Sequence, residues 1–181
     1  MPIPQRLVRF ALVLSLGALC LAALPARAQL PKGDLFFGYS RTGNDAFYPN
    51  VGGLNGWEAS GYLKIQKPFL GVEADVSHYG LGANAVIPRT TLYLFGPRVT
   101  VGFAGVHLFA HGLVGGEHSV NTSASLPVSA NALTYALGGG LDVPLAPFFG
   151  WRVQGDRIWV PSLPSTGGTP ARFSTGIVFR F

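Results

Sequence analysis

From residue 34 onward, apolar and polar residues alternate at every second position in eight runs of roughly ten residues, separated by Gly, Pro, Asn and Ser. A period of two belongs to a strand, whose successive side chains point to opposite faces. No segment sustains a period of 3.6, so the alternation predicts an all-β chain. The expected strands are 34–41, 56–66, 70–79, 90–103, 106–117, 133–144, 149–160 and 171–181.

The charges decide what kind of sheet this is. On the apolar parity lie Trp57, Ala59, Leu63 and Ile65, then Leu70, Val72, Ala74 and Val76, with comparable sets in the later runs. Glu58, Lys64, Glu73, Asp75, Arg98, Asp142, Arg152, Asp156, Arg172 and Arg180 all take the opposite parity. Arg157 is the exception, near one end of its strand. Each strand therefore has one apolar face and one charged face.

The connections have a rhythm of their own. Those at 66–69, 104–105 and 145–148 are short. RTGNDAFYPNVGGLNG, YGLGANAVIPR, HSVNTSASLPVSA and PSLPSTGGTPA are longer and more polar. Strict short and long alternation suits an eight-stranded antiparallel up-and-down β-barrel, with tight turns at one end and loops at the other.

Such a barrel can be soluble, with apolar residues inside, or transmembrane, with lipid outside and a polar lumen. Four features select the membrane form. The apolar face carries aromatics near strand ends (Trp57, Tyr93, Tyr135, Trp151, Trp159, Phe179, Phe181), as interfacial girdles require. Only 12% of the chain is charged, too little for a water-facing exterior. The acids and bases of the charged face nearly balance, as buried charges must. Finally, the alternation runs to the last residue, as expected of a strand that closes a barrel and leaves no edge.

The N-terminus reads as a secretory signal. MPIPQRLVR is basic, residues 10–24 are an apolar run of 15, too short to span a membrane as a helix, and Ala26-Arg27-Ala28 supplies an A-x-A cleavage pattern. Residues 1–28 are thus expected to be removed, leaving 29–181 as the barrel. Arg6, Arg9 and Arg27 leave with the signal while all eight acids stay, so the net charge falls from +5 to +2. With no long Lys/Arg cluster, nucleic acid is not an expected partner. Cys20, the only Cys, lies in the signal, which leaves no disulfide, lipid anchor or Cys metal site to expect.

On these residues the chain resembles the small eight-stranded outer-membrane barrels of Gram-negative bacteria, the OmpA-like transmembrane domains. The resemblance covers the whole mature chain. It rests most on the terminal strand, where Phe173, Ile177, Phe179 and Phe181 share one face, and also on Phe95-Gly96-Pro97-Arg98, Gly138 to Val143 and Trp151 to Asp156. In departure from OmpA itself, no peptidoglycan-binding domain is expected after the barrel. The resemblance implies residence in the outer membrane after export through the periplasm, and contact with outer-membrane lipid and lipopolysaccharide. It also implies recognition of the terminal strand by the barrel-assembly machinery.

Little in the sequence points to chemistry. His107 and His111 have the spacing of a helical zinc pair, but on a strand they stand about 13 Å apart, too far to share a metal with bonds of about 2 Å. They read as lumen or turn histidines. Ser77 and His78 invite comparison with lipid A deacylases, yet neighbours on a strand face opposite ways and no acid is placed to orient the His. No catalytic residue, cofactor or metal is expected. Asn121-Thr122-Ser123 reads as polar loop, and Gly115-Gly116 and Gly138-Gly139-Gly140 as relief for tight curvature.

Eight strands leave room only for side chains inside. Glu58, Glu73, Asp75, Asp142 and Asp156 are expected to pair there with Lys64, Arg98, Arg152 and Arg180. The functional expectation is a monomeric, non-enzymatic envelope protein that displays its loops. The alternatives are a narrow solute channel and, less favoured, a lipid A-modifying enzyme. The loops, with few charges and modest apolar groups such as Phe47, Tyr48 and Leu126, name no ligand.

Overall fold

A chain with one apolar and one polar face per strand satisfies its backbone in lipid only by closing the sheet on itself. In the computed structural model it does so. The structure describes residues 32–43, 53–66, 69–80, 89–121, 128–161 and 170–181, all within one unit, Pro31–Phe181. The expected signal segment, 1–28, and the loop residues Phe47, Tyr48, Thr122, Ser123 and Leu126 lie outside the described residues.

The strands are β1 (Gly33–Thr42), β2 (Asn55–Gln66), β3 (Leu70–Tyr79), β4 (Arg89–Phe103), β5 (Val106–Asn121), β6 (Val128–Pro144), β7 (Phe149–Trp159) and β8 (Ala171–Arg180). They form a closed barrel in sequence order, each antiparallel to the next. β8 returns to β1 in a ladder from Asp34 opposite Arg180 to Thr42 opposite Arg172. The eight expected strands are all present. The main departure is the length of β5 and β6, which continue to Asn121 and back from Val128. Their outer pairs, such as Ser119 with Ala130 and Val120 with Ser129, mix polar and apolar residues, so the apolar alternation fades before the ladder does.

Burial follows the parity. β1 alternates buried and exposed along its whole length, as do β7 and β8. Outward-facing Phe37, Phe95, Leu137 and Ile177 are between 55% and 64% exposed, the condition of side chains that meet lipid. Aromatics cluster toward both ends of this wall. Tyr39, Trp57, Trp159 and Phe173 stand toward the loop end. Phe103, Phe149, Trp151, Phe179 and Phe181 stand toward the turn end, where the Phe149 and Phe179 rings meet edge to face at 5.3 Å.

Two details tie the turn end down. The β4–β5 hairpin turns on Ala104 and Gly105, both at positive φ, 50° and 83°, as the right-handed twist of a two-residue hairpin demands. At the seam, Phe181 and Gly33 exchange two backbone hydrogen bonds of 3.1 Å. The last residue of the chain is therefore fully paired.

Candidate functional site

The parity that sends Leu35, Phe37 and Tyr39 outward sends Asp34, Phe36 and Ser40 into the lumen, and the other strands repeat the arrangement. All seven acids among the described residues (Asp34, Glu58, Glu73, Asp75, Glu117, Asp142 and Asp156) are buried. Arg98, Arg152 and Arg172 are buried with them, at 1% exposure or less. Charge at this depth persists only when opposite charges and hydrogen bonds surround it.

Toward the turn end the network centres on Arg98 and Arg152. Arg152 grips Asp142 with two bonds, Nε to Oδ1 at 2.7 Å and Nη2 to Oδ2 at 2.9 Å, and also donates to Asp34 at 2.7 Å. Arg98 donates to the same Asp34 oxygen at 3.2 Å and lies 3.6 Å from Glu73. Its guanidinium sits between two rings, 4.5 Å from the Tyr62 centroid and 4.0 Å from that of Phe109. Arg152 lies 4.7 Å from the Phe109 ring centroid and 5.1 Å from that of Phe36. The rings fill the gaps between charges and offer their negative faces to the cations.

His111 joins this layer to the next. Its Nδ1 is 2.6 Å from Glu73 and its Nε2 is 2.7 Å from Asp156, so both ring nitrogens face carboxylate oxygens. Asp156 in turn accepts from Arg172 Nε at 2.6 Å, and Arg172 reaches Asp75 at 2.9 Å and Ser77 at 3.1 Å. Glu58 completes the layer: it accepts from Gln154, lies 2.6 Å from Ser174 Oγ and 3.6 Å from Arg172. Gly138 makes the space. It stands between His111 and Asp156 in register, and a Cβ there would overlap the Asp156 carboxylate. Above these charges, toward the loop end, Leu54, Tyr79, Leu92, Leu94, Leu113, Ala136 and Ile158 form an apolar cluster across the lumen.

Of the charges expected inside, Glu58, Glu73, Asp75, Arg98, Asp142, Arg152 and Asp156 lie in this array. Arg180 lies at its turn-end edge, 21% exposed and 3.3 Å from Asp142. Lys64 departs from expectation: it has the lumen parity but forms no ion pair with a described residue. It lines a cavity of about 300 Å³ at the turn-end mouth, with Asp34, His107, Asp142 and Arg180. Its strand position places it one layer beyond the acids, where the barrel opens to water. The expected set left out three central members: Asp34, Arg172 and His111. Arg172 has the right parity to be found. Asp34 stands at the very start of the first strand and looks like a strand boundary. Nothing in the spacing of His111 tells that its partners come from β3 and β7.

The remaining candidates fall apart. Ser77 is buried in the lumen, while His78 faces outward and bonds Thr91 at 2.8 Å. Phe173, Ile177, Phe179 and Phe181 stand on the outer wall, each between 39% and 55% exposed.

A closed eight-stranded barrel with an apolar wall and a charged, packed lumen is the architecture of a small transmembrane β-barrel. Solved structures of outer-membrane barrels share this fold. The N-terminal β-barrel domain of Pseudomonas aeruginosa OprF superposes with a TM-score of 0.62 at 11% identity, covering 83% of this chain and 97% of that one. Neisserial surface protein A gives 0.61 at 9% identity, covering 83% and 96%. Ail, the attachment invasion locus protein of Yersinia pestis, solved with the heparin analogue sucrose octasulfate, gives 0.56 at 16% identity, covering 83% and 97%. No protein-family model and no curated protein matches the chain. At these identities the likeness is one of fold.

Proposed function

We propose that this chain is a structural, non-catalytic barrel of the bacterial outer membrane, exported through the periplasm after loss of residues 1–28, with loops presented for surface contacts. One observation carries the reading: the lumen is occupied by its own side chains. Three arginines, six carboxylates and the Phe109 ring fill the level where a pore would run, and an apolar cluster lies above them. Phe173, Ile177, Phe179 and Phe181 serve in this reading as the assembly signal of the terminal strand. The fold shared with an attachment protein supports surface contact as the role of the loops.

The turn-end cavity lined by Lys64 and His107 favours a second reading, a narrow channel entered from that side. Planar-bilayer conductance of the refolded protein separates the two. The structural reading expects no steady single-channel steps, and reproducible steps from the wild-type barrel that enlarge on Arg98→Ala or Arg152→Ala replacement would favour the channel. Fractionation of cells, with faster gel migration of the unboiled form, tests the location.

A further inference from the structure

We propose that the cavity at the turn-end mouth of the lumen, between Tyr62, Lys64, Thr100 and His107, is a binding site for a phosphate group entering from the aqueous side. This goes beyond the structural reading above, under which that mouth faces the periplasm. The observation that carries it is a convergence of unpartnered polar groups. Tyr62 is 5% exposed, and its hydroxyl has no hydrogen-bond partner among the described residues; nor do Thr100 Oγ1 and His107 Nδ1. All three residues line one cavity of about 300 Å³, together with Lys64. Buried polar groups are as a rule paired, so three orphans around one space mark it as suited to a polar guest. The Tyr62 ring tip lies over Gly71, one lumen position nearer the turn end on β3, where a Cβ would overlap the ring. That tilt aims the hydroxyl toward the mouth.

Charge decides the sign of the guest. Both acids at the cavity are already held. Arg152 bonds Asp34 at 2.7 Å and Arg98 bonds it at 3.2 Å. Asp142 takes two bonds from Arg152, with Arg180 3.3 Å away. Lys64 has no such partner among the described residues. This end of the lumen therefore sets Arg98, Arg152, Arg180 and Lys64 against Asp34, Glu73 and Asp142. One cation is in excess even with Glu73, which His111 shares, counted in full. Such a mouth draws in an anion and repels a cation. Its donors stand on β2, β4 and β5, and Arg180 on β8 adds a fourth side, so they surround a guest rather than meet one edge of it. A carboxylate offers two oxygens in one plane, whereas a tetrahedral oxyanion offers acceptors in every direction. A water takes about 30 Å³ of the liquid, so the cavity suits a phosphate with part of its hydration shell. A lipid headgroup would have to bend over the rim to reach it, because the cavity lies on the lumen side of the strands.

The test titrates inorganic phosphate into the refolded full barrel in an uncharged maltoside detergent, followed by calorimetry. Ionic strength is held constant with sodium chloride, so that general screening does not change. Wild-type protein should bind phosphate saturably at one site. Lys64→Gln removes the cation that has no ion pair and should weaken binding about tenfold or more, the weight of a charged hydrogen bond. Gly102 lines the same cavity, and a Cβ there meets nothing nearer than His107 Cδ2 at 3.9 Å. Gly102→Leu should therefore fold and obstruct the site. Arg89→Gln loses the same charge at the opposite end of the barrel and should bind as wild type does. Faster gel migration before boiling establishes that each variant has folded. Absence of saturable binding, unchanged affinity in Lys64→Gln or in folded Gly102→Leu, or an equal loss in Arg89→Gln would overturn the site. So would binding of short-chain phosphatidylglycerol, added in parallel, without binding of free phosphate, since the contact would then be the rim. None of those outcomes touches the outer-membrane reading, which fails only if the protein is missing from that membrane fraction.

Discussion

The outer wall and the lumen of this barrel are built from the same strands, residue by residue in alternation, yet they impose opposite demands. On the wall, Phe95, Leu137 and Ile177 need only be apolar, because lipid adapts to whatever shape they present. In the lumen, Arg98 needs Asp34 at one distance, Glu73 at another, and a ring on each side. The wall is specified by class of residue, and the lumen by identity and position. The same substitution should therefore cost little on one face and a great deal on the other.

The largest expected effect is charge reversal. Arg98→Glu would set a fourth carboxylate among Asp34, Glu73 and Asp142, and would leave the Tyr62 and Phe109 rings facing no guanidinium at that position. Breaking a buried pair costs on the order of 3–5 kcal/mol, whereas exposed pairs are worth about 0–1. Arg89→Glu, at the exposed start of β4, supplies the contrast. Urea midpoints of the two refolded variants in detergent should lie far apart, with Arg98→Glu unfolded at much lower urea or unable to fold. Coincident midpoints would mean that lumen charges are no more demanding than rim charges.

Glycines sharpen the same contrast. A methyl at Gly138 meets the Asp156 carboxylate and the Gly155 carbonyl, while one at Gly116, on the outer wall, approaches nothing closer than 3.8 Å. Gly138→Ala should destabilise by about 1–3 kcal/mol through overpacking, and Gly116→Ala should be near neutral. A Gly138→Ala barrel with an unchanged midpoint would show that the His111–Asp156 link has room to shift.

Legibility in the sequence follows this division. Parity and loop rhythm identify the wall, the strand count and the closed topology, because those depend only on residue class and spacing. They also assign Glu58, Asp75 and Arg152 to the lumen. Pairing is another matter, since partners such as Arg98 and Asp34 stand 64 positions apart and meet only once shear and register are fixed. Lys64 shows the limit. Its parity matches that of Arg98, but it lies one layer nearer the mouth, and parity carries no information about height. His111 is the converse, central in space and unremarkable in pattern.

Phe181 tests the wall where the chain ends. Its backbone closes the seam against Gly33 and its ring lies over that glycine. A chain ending at Arg180 loses those bonds and a half-exposed ring, about 1–3 kcal/mol by the burial of a large apolar side chain. It should still fold from urea into detergent. In cells, if the terminal aromatic is part of the assembly signal, the same chain should reach the outer membrane poorly. Wild-type levels there would reduce Phe181 to a girdle residue.

The smallest effects come from exchanging apolar groups of similar kind, and there the two faces should still separate. Phe95→Leu changes a ring that is 57% exposed on the wall, where lipid fills whatever volume is vacated. Such a replacement should stay within about 0.5 kcal/mol, as surface changes away from special features do. Phe109→Leu removes a ring of the same size from beside Arg98 and Arg152, whose guanidinium carbons lie 4.0 and 4.7 Å from its centroid. Leucine keeps most of the apolar volume but has no negative face to offer, and each desolvated cation–ring interaction is worth about 2 kcal/mol. The lumen exchange should therefore lower the urea midpoint measurably while the wall exchange does not. If the two variants unfold together, the ring at 109 is only filler, and the lumen is held by its salt bridges alone.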